Sequence, residues 1–367
     1  MTIKSYKTQK GTRYMFTTHL GMDPITGKRV MVTRRGFTSR RAAQSAKAEL
    51  QYDYDNGLMD RHADVTYKDV YDRWVKLYAK TVKSSTLNKT LQYFRIHILP
   101  TFGALKLDAI TPLLCQDFAD KMAEHFTDLS KVYSSACRVY DYARKLDLAS
   151  GDNPFDKVIK PKPTKHRKVT PYMTREELST LLNAIAHPMW YVYFYLLAHT
   201  GARRGEALAA RWQDIDLAGA TWHICRTITV GVGNVQYYST PKTYTSDRTI
   251  DLDPDLVRVL REYRGKQKVQ SVEGLVFCTA KGGMLSVTKP YAYLNRTIRR
   301  NGLKHVSPHS FRHTHCSMLF EAGWTIKDVQ ERLGHRDMQT TMNIYLHVTA
   351  DRKRKSMEQF VEYLKEG

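Results

Sequence analysis

His309 and Arg312 stand three residues apart in "VSPHSFRHTHCSMLFEAG". That spacing puts them on one face of a helix's first turn, with Ser307 as its cap and Pro308 at its first position. An imidazole that moves protons beside a permanently charged, bidentate guanidinium suits phosphoryl transfer. His309 and His313, four apart, also have the spacing of a zinc pair. The stretch lacks the acid of HExxH, however, and an arginine among the ligands would repel a dication, so no metal is expected. Upstream, "LAHTGARRGEALAARWQDID" turns at Thr200 and Gly201 and starts a helix at about Arg203. Arg203 or Arg204 beside free backbone N–H groups is a place to hold a phosphate, although a solvated arginine has the same signature.

Lys242 lies in "YYSTPKTYTSDRTIDL", read over 237–252 as the return arm of a hairpin with the lysine near its turn. There it can reach a DNA groove and donate a proton to a leaving oxygen, or simply be a surface lysine. The "GVG" at 231–233 has no third glycine and no helix after it, so it reads as the tip of that hairpin and not as a nucleotide loop. "WTIKDVQERLGHRD" supplies a helix capped by Thr325, with Asp328 three later, and stopped at Gly334. His335 sits just past the stop, and Tyr345 follows ten residues later. Taken singly, both have structural readings, and Tyr345 is one of 23 tyrosines.

Three segments must position these groups. Residues 1–60 contain "TRYMFTTHL" and "KRVMVTRRGF" around the turn-forming "GMDPITG", a small antiparallel sheet. An alanine-rich helix follows, with Thr38 as its expected cap and Gly57 as its stop. Residues 1–50 carry eleven Lys and Arg against Asp23 and Glu49, so this sheet is expected to lie against DNA, with Arg13, Lys28, Arg29, Arg34 and Arg35 as contacts. From 64 to 155 four amphipathic stretches predict a basic four-helix domain. The proline-rich, basic stretch before 171 reads as an extended linker, bounded at 156–170, whose Lys162, Lys165 and Arg167 can track a phosphate backbone. Residues 171–367 mix helices with a strand-rich stretch at 221–251 and a further short strand at "LVFC", an α+β pattern. In the tail, Met357, Phe360, Val361 and Leu364 give a short helix one apolar face, which docks either on its own domain or on a neighbouring subunit.

Composition narrows the partner. Lys and Arg number 58 against 36 Asp and Glu, a formal net charge of +22, which favours a polyanion and makes nucleic acid the first candidate. Cys115, Cys137, Cys225, Cys278 and Cys316 are odd in number and contain no CxxC, so neither a disulfide framework nor a zinc ribbon is indicated. No signal peptide is legible, and the longest apolar run, 188–198, is far short of a membrane helix; a cytoplasmic protein without membrane contact is expected.

In one fixed order, the chain holds Arg203 in "TGARRGE", Lys242 in "TPKT", His309 and Arg312 in "HSFRHTH", His335 in "LGH" and Tyr345 in "TTMNIYLHV". This set resembles the tyrosine recombinases, the phage and conjugative-transposon integrases in particular. The resemblance implies a multidomain, mixed architecture: a small basic three-stranded β-sheet plus helix as an arm-binding domain (1–60), a helical SAM-like core-binding domain (64–155), and an α+β catalytic domain (171–367). It also implies a cofactor-free reaction in which Tyr345 attacks a DNA phosphodiester to form a 3′-phosphotyrosine and release a 5′-hydroxyl. By the same resemblance Arg203 and Arg312 clamp the phosphate, His309 moves a proton, Lys242 is the general acid and His335 donates a hydrogen bond. Glu206 is expected to brace Arg203. One position departs from the family's pattern: Arg204 stands where an apolar residue is usual. Implied partners are double-stranded DNA with core-type and arm-type sites, a homotetramer in the synaptic complex, and a DNA-bending accessory protein or excisionase. A non-catalytic DNA-binding regulator on the same fold is the alternative, while a metal-dependent nuclease would need an Asp/Glu cluster that the sequence lacks.

Overall fold

The computed structural model describes residues 3–9, 11–22, 29–55, 65–162, 172–239, 247–269, 271–334 and 342. Lys28, Lys165, Arg167, Lys242, His335, Tyr345 and the 351–367 tail, together with the expected helix stop at Gly57, lie outside them. Contacts divide the chain into two units, residues 1–167 and 168–367.

The first unit opens with an antiparallel sheet of β1 (Lys4–Thr8), β2 (Gly11–Met22) and β3 (Arg29–Phe37), in that order. Phe16, Thr18 and Leu20 of β2 are buried, and α1 (Arg40–Asp55) packs on that face through the fully buried Ala43. The cap of α1 is Ser39 and not Thr38: Ser39 Oγ accepts from Ala42 N at 3.1 Å, because the strand runs to Phe37 and only Ser39 reaches the first turn. Strand pairing sorts the basic residues. Arg35 is opposite Met15, Arg13 opposite Tyr6 and Arg29 opposite Met22, whereas Arg34 is opposite the buried Phe16. Because directly opposed residues share a face, Arg13, Arg29 and Arg35 occupy the face away from α1, and Arg34 the other.

Four helical pieces follow: α2 (Tyr67–Thr81); α3 (Ser84–Tyr93), running through a π-turn at Phe94–Ile98 into α4 (Leu99–Phe102); α5 (Pro112–His125); and α6 (Ser130–Lys145). The π-turn falls where Pro100 offers no N–H to the preceding turn. An aromatic core of Tyr67, Tyr71, Trp74, Phe94, Phe102, Phe118, Tyr133 and Phe155 holds these helices. Phe155, the last residue before the expected linker, is packed in this core, with its carbonyl accepting from Tyr133 Oη at 2.5 Å.

The second unit is built around α8 (Pro188–Thr200), whose residues 190, 192–194, 196–198 and 200 are all buried. A helix apolar on nearly every side must lie at the centre of its domain. Around it lie α7 (Arg175–Asn183), α9 (Arg204–Leu208), α10 (Pro254–Lys266), α11 (Lys289–Arg300), α12 (Pro308–Glu321) and α13 (Ile326–Leu333). Trp190, Phe194, Tyr293 and Phe311 stack through this core with ring centroids 5.2–6.5 Å apart. Two small sheets complete the unit: β4 (Ile215–Asp216), β5 (Thr221–Ile224) and β8 (Arg248–Asp251) form one, while β6 (Thr227–Val230) and β7 (Gln236–Ser239) form the other.

This pairing corrects two expectations. Residues 237–252 are not one arm: β7 pairs with β6 around the 231–235 turn, and β8 pairs with β5 in the other sheet. The "LVFC" stretch forms only isolated bridges, Arg211 to Leu275 and Cys278 to Met284, and no strand. Its apolar run reflects burial, since Leu275, Val276 and Phe277 are all in the core, and burial alone does not distinguish strand from loop.

At Gly201 three helices meet. The residue ends α8 with φ of 62°, and a Cβ there would lie 2.5 Å from Leu333 Cδ2 and 2.8 Å from His315 Cδ2. Gly201→Ala therefore combines left-handed strain with overpacking and should cost about 2–4 kcal/mol in a urea unfolding titration.

Candidate active site

Helix α12 starts where its sequence says it should. Ser307 is the N-cap, its N–H donates to Ser310 Oγ at 3.1 Å, and Pro308 occupies the first turn. This start places His309 at the solvent-exposed entrance and turns Arg312 inward, where it is only 3% exposed. Arg312 spends Nη1 on Gly201 O at 2.9 Å and Nη2 on Leu333 O at 2.6 Å. These bonds tie α12 to the end of α8 and to the end of α13, using two of the five guanidinium donors.

Arg203 is the residue before α9, one position earlier than the expected first turn, and it is the Glu206 side chain that reaches back to it. Its backbone N–H donates to Glu206 Oε2 at 2.9 Å and its Nη1 to Glu206 Oε1 at 2.7 Å. The N-terminal amide expected to await a phosphate is thus already occupied by the protein's own carboxylate. The guanidinium also reaches α13, with Nη2 donating to Gly334 O at 2.8 Å. Of the two neighbouring arginines, Arg203 is the one whose head group is bonded to both Glu206 and the end of α13.

Helix α13 is capped at Thr325, which accepts from Asp328 N at 3.2 Å, and it stops at Gly334 in a left-handed conformation with φ of 66°. The last carbonyls of a helix have no partners within it. Here Arg332 O accepts from Arg248 Nε at 2.8 Å, Leu333 O from Arg312 Nη2 and Gly334 O from Arg203 Nη2. Three guanidiniums hold three consecutive carbonyls, and the next residue in the chain is His335.

One carboxylate, Glu206, sits among these cations. It is 3% exposed and is paired with Arg203 and with Arg248 Nη2 at 3.1 Å. Burial raises its pKa, but Arg248 and Arg203 outweigh burial and hold the carboxyl below the usual range. Burial, then Arg203 and Arg248, press the other way on Arg312, whose pKa is pushed down to about 9 despite Glu206. Positive charge therefore exceeds negative charge here, which favours an anion such as a phosphodiester.

The histidines answer the same field. His309 is surrounded by protein although its surface is accessible; that desolvation, then His313, Arg312, Arg203 and Arg204, pushes its pKa down to about 4. It is a neutral imidazole at pH 7, able to accept a proton. His313 stands edge-on to it at 4.9 Å and is lowered by burial and Arg312. His315, missed as a site residue, is buried and braces the site from behind. Its Nδ1 donates to Ala198 O at 2.8 Å, while Nε2 accepts from Arg332 Nε at 3.1 Å, which fixes a neutral tautomer. Burial, then Arg332, takes its pKa down to about 3. Arg248 and Arg332 were likewise not singled out, since neither has a local sequence signature.

Among the described residues, no group of three or more His, Cys, Asp or Glu is arranged to hold a metal ion, and no helix is long and apolar enough to cross a membrane. The five cysteines are free, with burial pushing Cys316, beneath Arg312, up to about 12.

The histidine shifts give a pH prediction. Folded values near 3 and 4 lie below the ordinary 6.5, so between about pH 6.5 and 4 the unfolded chain binds more protons. Their contribution is present above pH 6.5 and is lost as pH falls through that window. The melting temperature should decline from pH 7 to pH 5, while imidazole ¹⁵N spectra show His309 and His315 still neutral at pH 5.5.

Comparison with known proteins places these elements. The model of the phage integrase family matches residues 171–352, that of the phage integrase N-terminal SAM-like domain residues 66–123, and that of the arm DNA-binding domain residues 4–54. A tyrosine recombinase XerC-like protein of Caldanaerobacter subterraneus subsp. tengcongensis is 26% identical over 94% of this chain and 95% of its own length. The fold is shared with the Tn1549 transposon integrase in complex with a circular intermediate DNA, at a TM-score of 0.66 and 21% identity over 80% of this chain and 99% of the other. It is shared also with the lambda integrase tetramer bound to a Holliday junction, at 0.58 and 16% over 93% and 94%.

Proposed function

The chain belongs to the phage integrase family of tyrosine recombinases, and from that premise we propose that it integrates and excises a mobile element by site-specific DNA strand transfer. The observation that carries the proposal is the convergence of Arg203 and Arg312 on Gly334 O and Leu333 O. It brings two anion-binding guanidiniums from distant segments to the point where His335 leaves α13. In this reading Tyr345 Oη attacks the phosphorus of a DNA strand. A bond from Tyr345 to the 3′-phosphate forms, the bond to the 5′-oxygen breaks, the phenol proton passes to neutral His309, and Lys242 protonates the leaving oxygen. Arg203 and Arg312, with His335, stabilise the charge that develops on the non-bridging oxygens. Attack by a 5′-hydroxyl reverses the step and rejoins the strand, so the phosphodiester is conserved without a nucleotide cofactor.

We further assign residues 1–60 to arm-type DNA, 64–155 with the basic 156–170 linker to core-type DNA, and 171–367 to catalysis. A tetramer brings two duplexes together, aided by a DNA-bending protein or excisionase, in the cytoplasm. The model matches over 4–54 and 66–123 support the first two assignments, and the lambda integrase tetramer supports the assembly.

Two experiments test this reading. A nicked or phosphorothiolate substrate carrying the element's end should trap a covalent complex in EDTA that Tyr345→Phe loses, with Arg203→Ala slowing trapping by about 10²- to 10³-fold. Binding without trapping by the wild type would favour the regulator, and cleavage only with magnesium would favour a nuclease. On arm-type DNA, Arg35→Ala, on the open face of the sheet, should weaken binding and reduce the salt slope by about one, whereas Arg34→Ala should change neither.

A further inference from the structure

The proposed chemistry leaves one buried cation at the site without a task. Arg248, the first residue of β8, has a side chain 7% exposed and is paired with the carboxylate of Glu206, itself 3% exposed. The Nε and Nη2 groups form one edge of the planar guanidinium. Through that edge Arg248 donates at once to Arg332 O at 2.8 Å and to Glu206 Oε2 at 3.1 Å. Glu206 uses its other oxygen on Arg203 Nη1, and the next carbonyls of α13 are those held by Arg312 and Arg203. Lys242 lies six residues upstream of Arg248 on the same chain.

We infer that Arg248 is a positioning residue for strand cleavage: it bridges Glu206 to the last turn of α13, fixing Arg203 relative to the point from which His335 emerges. The same anchor holds the start of β8 against the last turn of α13, so Arg203, β8 and α13 take their register from one side chain. Glu206 needs this second cation because a buried carboxylate is expensive unless its charge and lone pairs are answered. The geometry requires arginine. A lysine ammonium would keep the charge, but as a single point it cannot span a carbonyl and a carboxylate along one rigid edge. Arg248 thereby acts through Glu206 and α13 and touches no reacting atom.

The inference rests on the recombinase reading, and its test separates the two. With the full chain and the trapping substrate, Arg248→Met should lower the single-turnover cleavage rate by roughly 10- to 100-fold while leaving the Kd for the same DNA within about twofold. Arg248→Lys should fall between wild type and Arg248→Met. In a Glu206→Gln background, where the carboxylate no longer needs a counter-charge, Arg248→Met should cost several-fold less than in wild type. A wild-type rate for Arg248→Met, a parallel loss of rate and binding, or undiminished cost in the Glu206→Gln background would each overturn the role assigned to Arg248 and leave the recombinase reading intact. A wild-type protein that traps no covalent complex would overturn both.

Discussion

The C-terminal end of an eight-residue helix is the constraint on which the catalytic unit depends. Helix α13 buries only Val329 and Leu333, too little to hold so short a segment by apolar burial alone, and its terminal carbonyls need donors. Arg248, Arg312 and Arg203 supply them, from β8, from α12 and from the residue before α9. Cations at a helix C-terminus are also favoured by the helix dipole. The same contacts that complete the helix therefore gather the site.

Gathering guanidiniums in a poorly solvated space is costly, and the surrounding structure reflects that cost. Glu206 is buried among them and stays ionised, and Gly201, without a side chain, lets α8, α12 and α13 approach closely enough for Arg312 to reach both Gly201 O and Leu333 O. Behind them His315 accepts from Arg332, whose Nη2 donates to His199 O at 3.2 Å, so a neutral imidazole ties α12 and α13 to α8 without adding charge. The histidines are held neutral first by desolvation and then by the neighbouring cations, so His309 is an uncharged imidazole at neutral pH.

Much of this was legible locally. Ser307 and Pro308 announced the start of α12, and Thr325 and Gly334 bounded α13, because caps act over three or four residues. Expectations failed where a longer-range choice decided. Thr38 and Ser39 are chemically similar caps, and only the end of β3 selected Ser39. The apolar "LVFC" was expected as a strand, yet it makes only isolated bridges, because its apolar run reflects burial in the core. Residues 237–252 alternated like one arm, yet β7 and β8 chose partners in different sheets.

By itself the sequence determined the chemical inventory: a strongly basic chain, the order of arginine, lysine, histidine and tyrosine motifs that marks the family, and the helix boundaries that aim His309 and Arg312. Tertiary structure alone decided which of two adjacent arginines is held toward the site, that Glu206 occupies the amide expected to hold a phosphate, and that Arg248, His315 and Arg332 belong to the scaffold of the site. The physical reason is that a carbonyl at the end of α13 or a buried carboxylate is satisfied by whatever donor the fold brings within about 3 Å, and sequence spacing says nothing about partners 42 to 133 residues away.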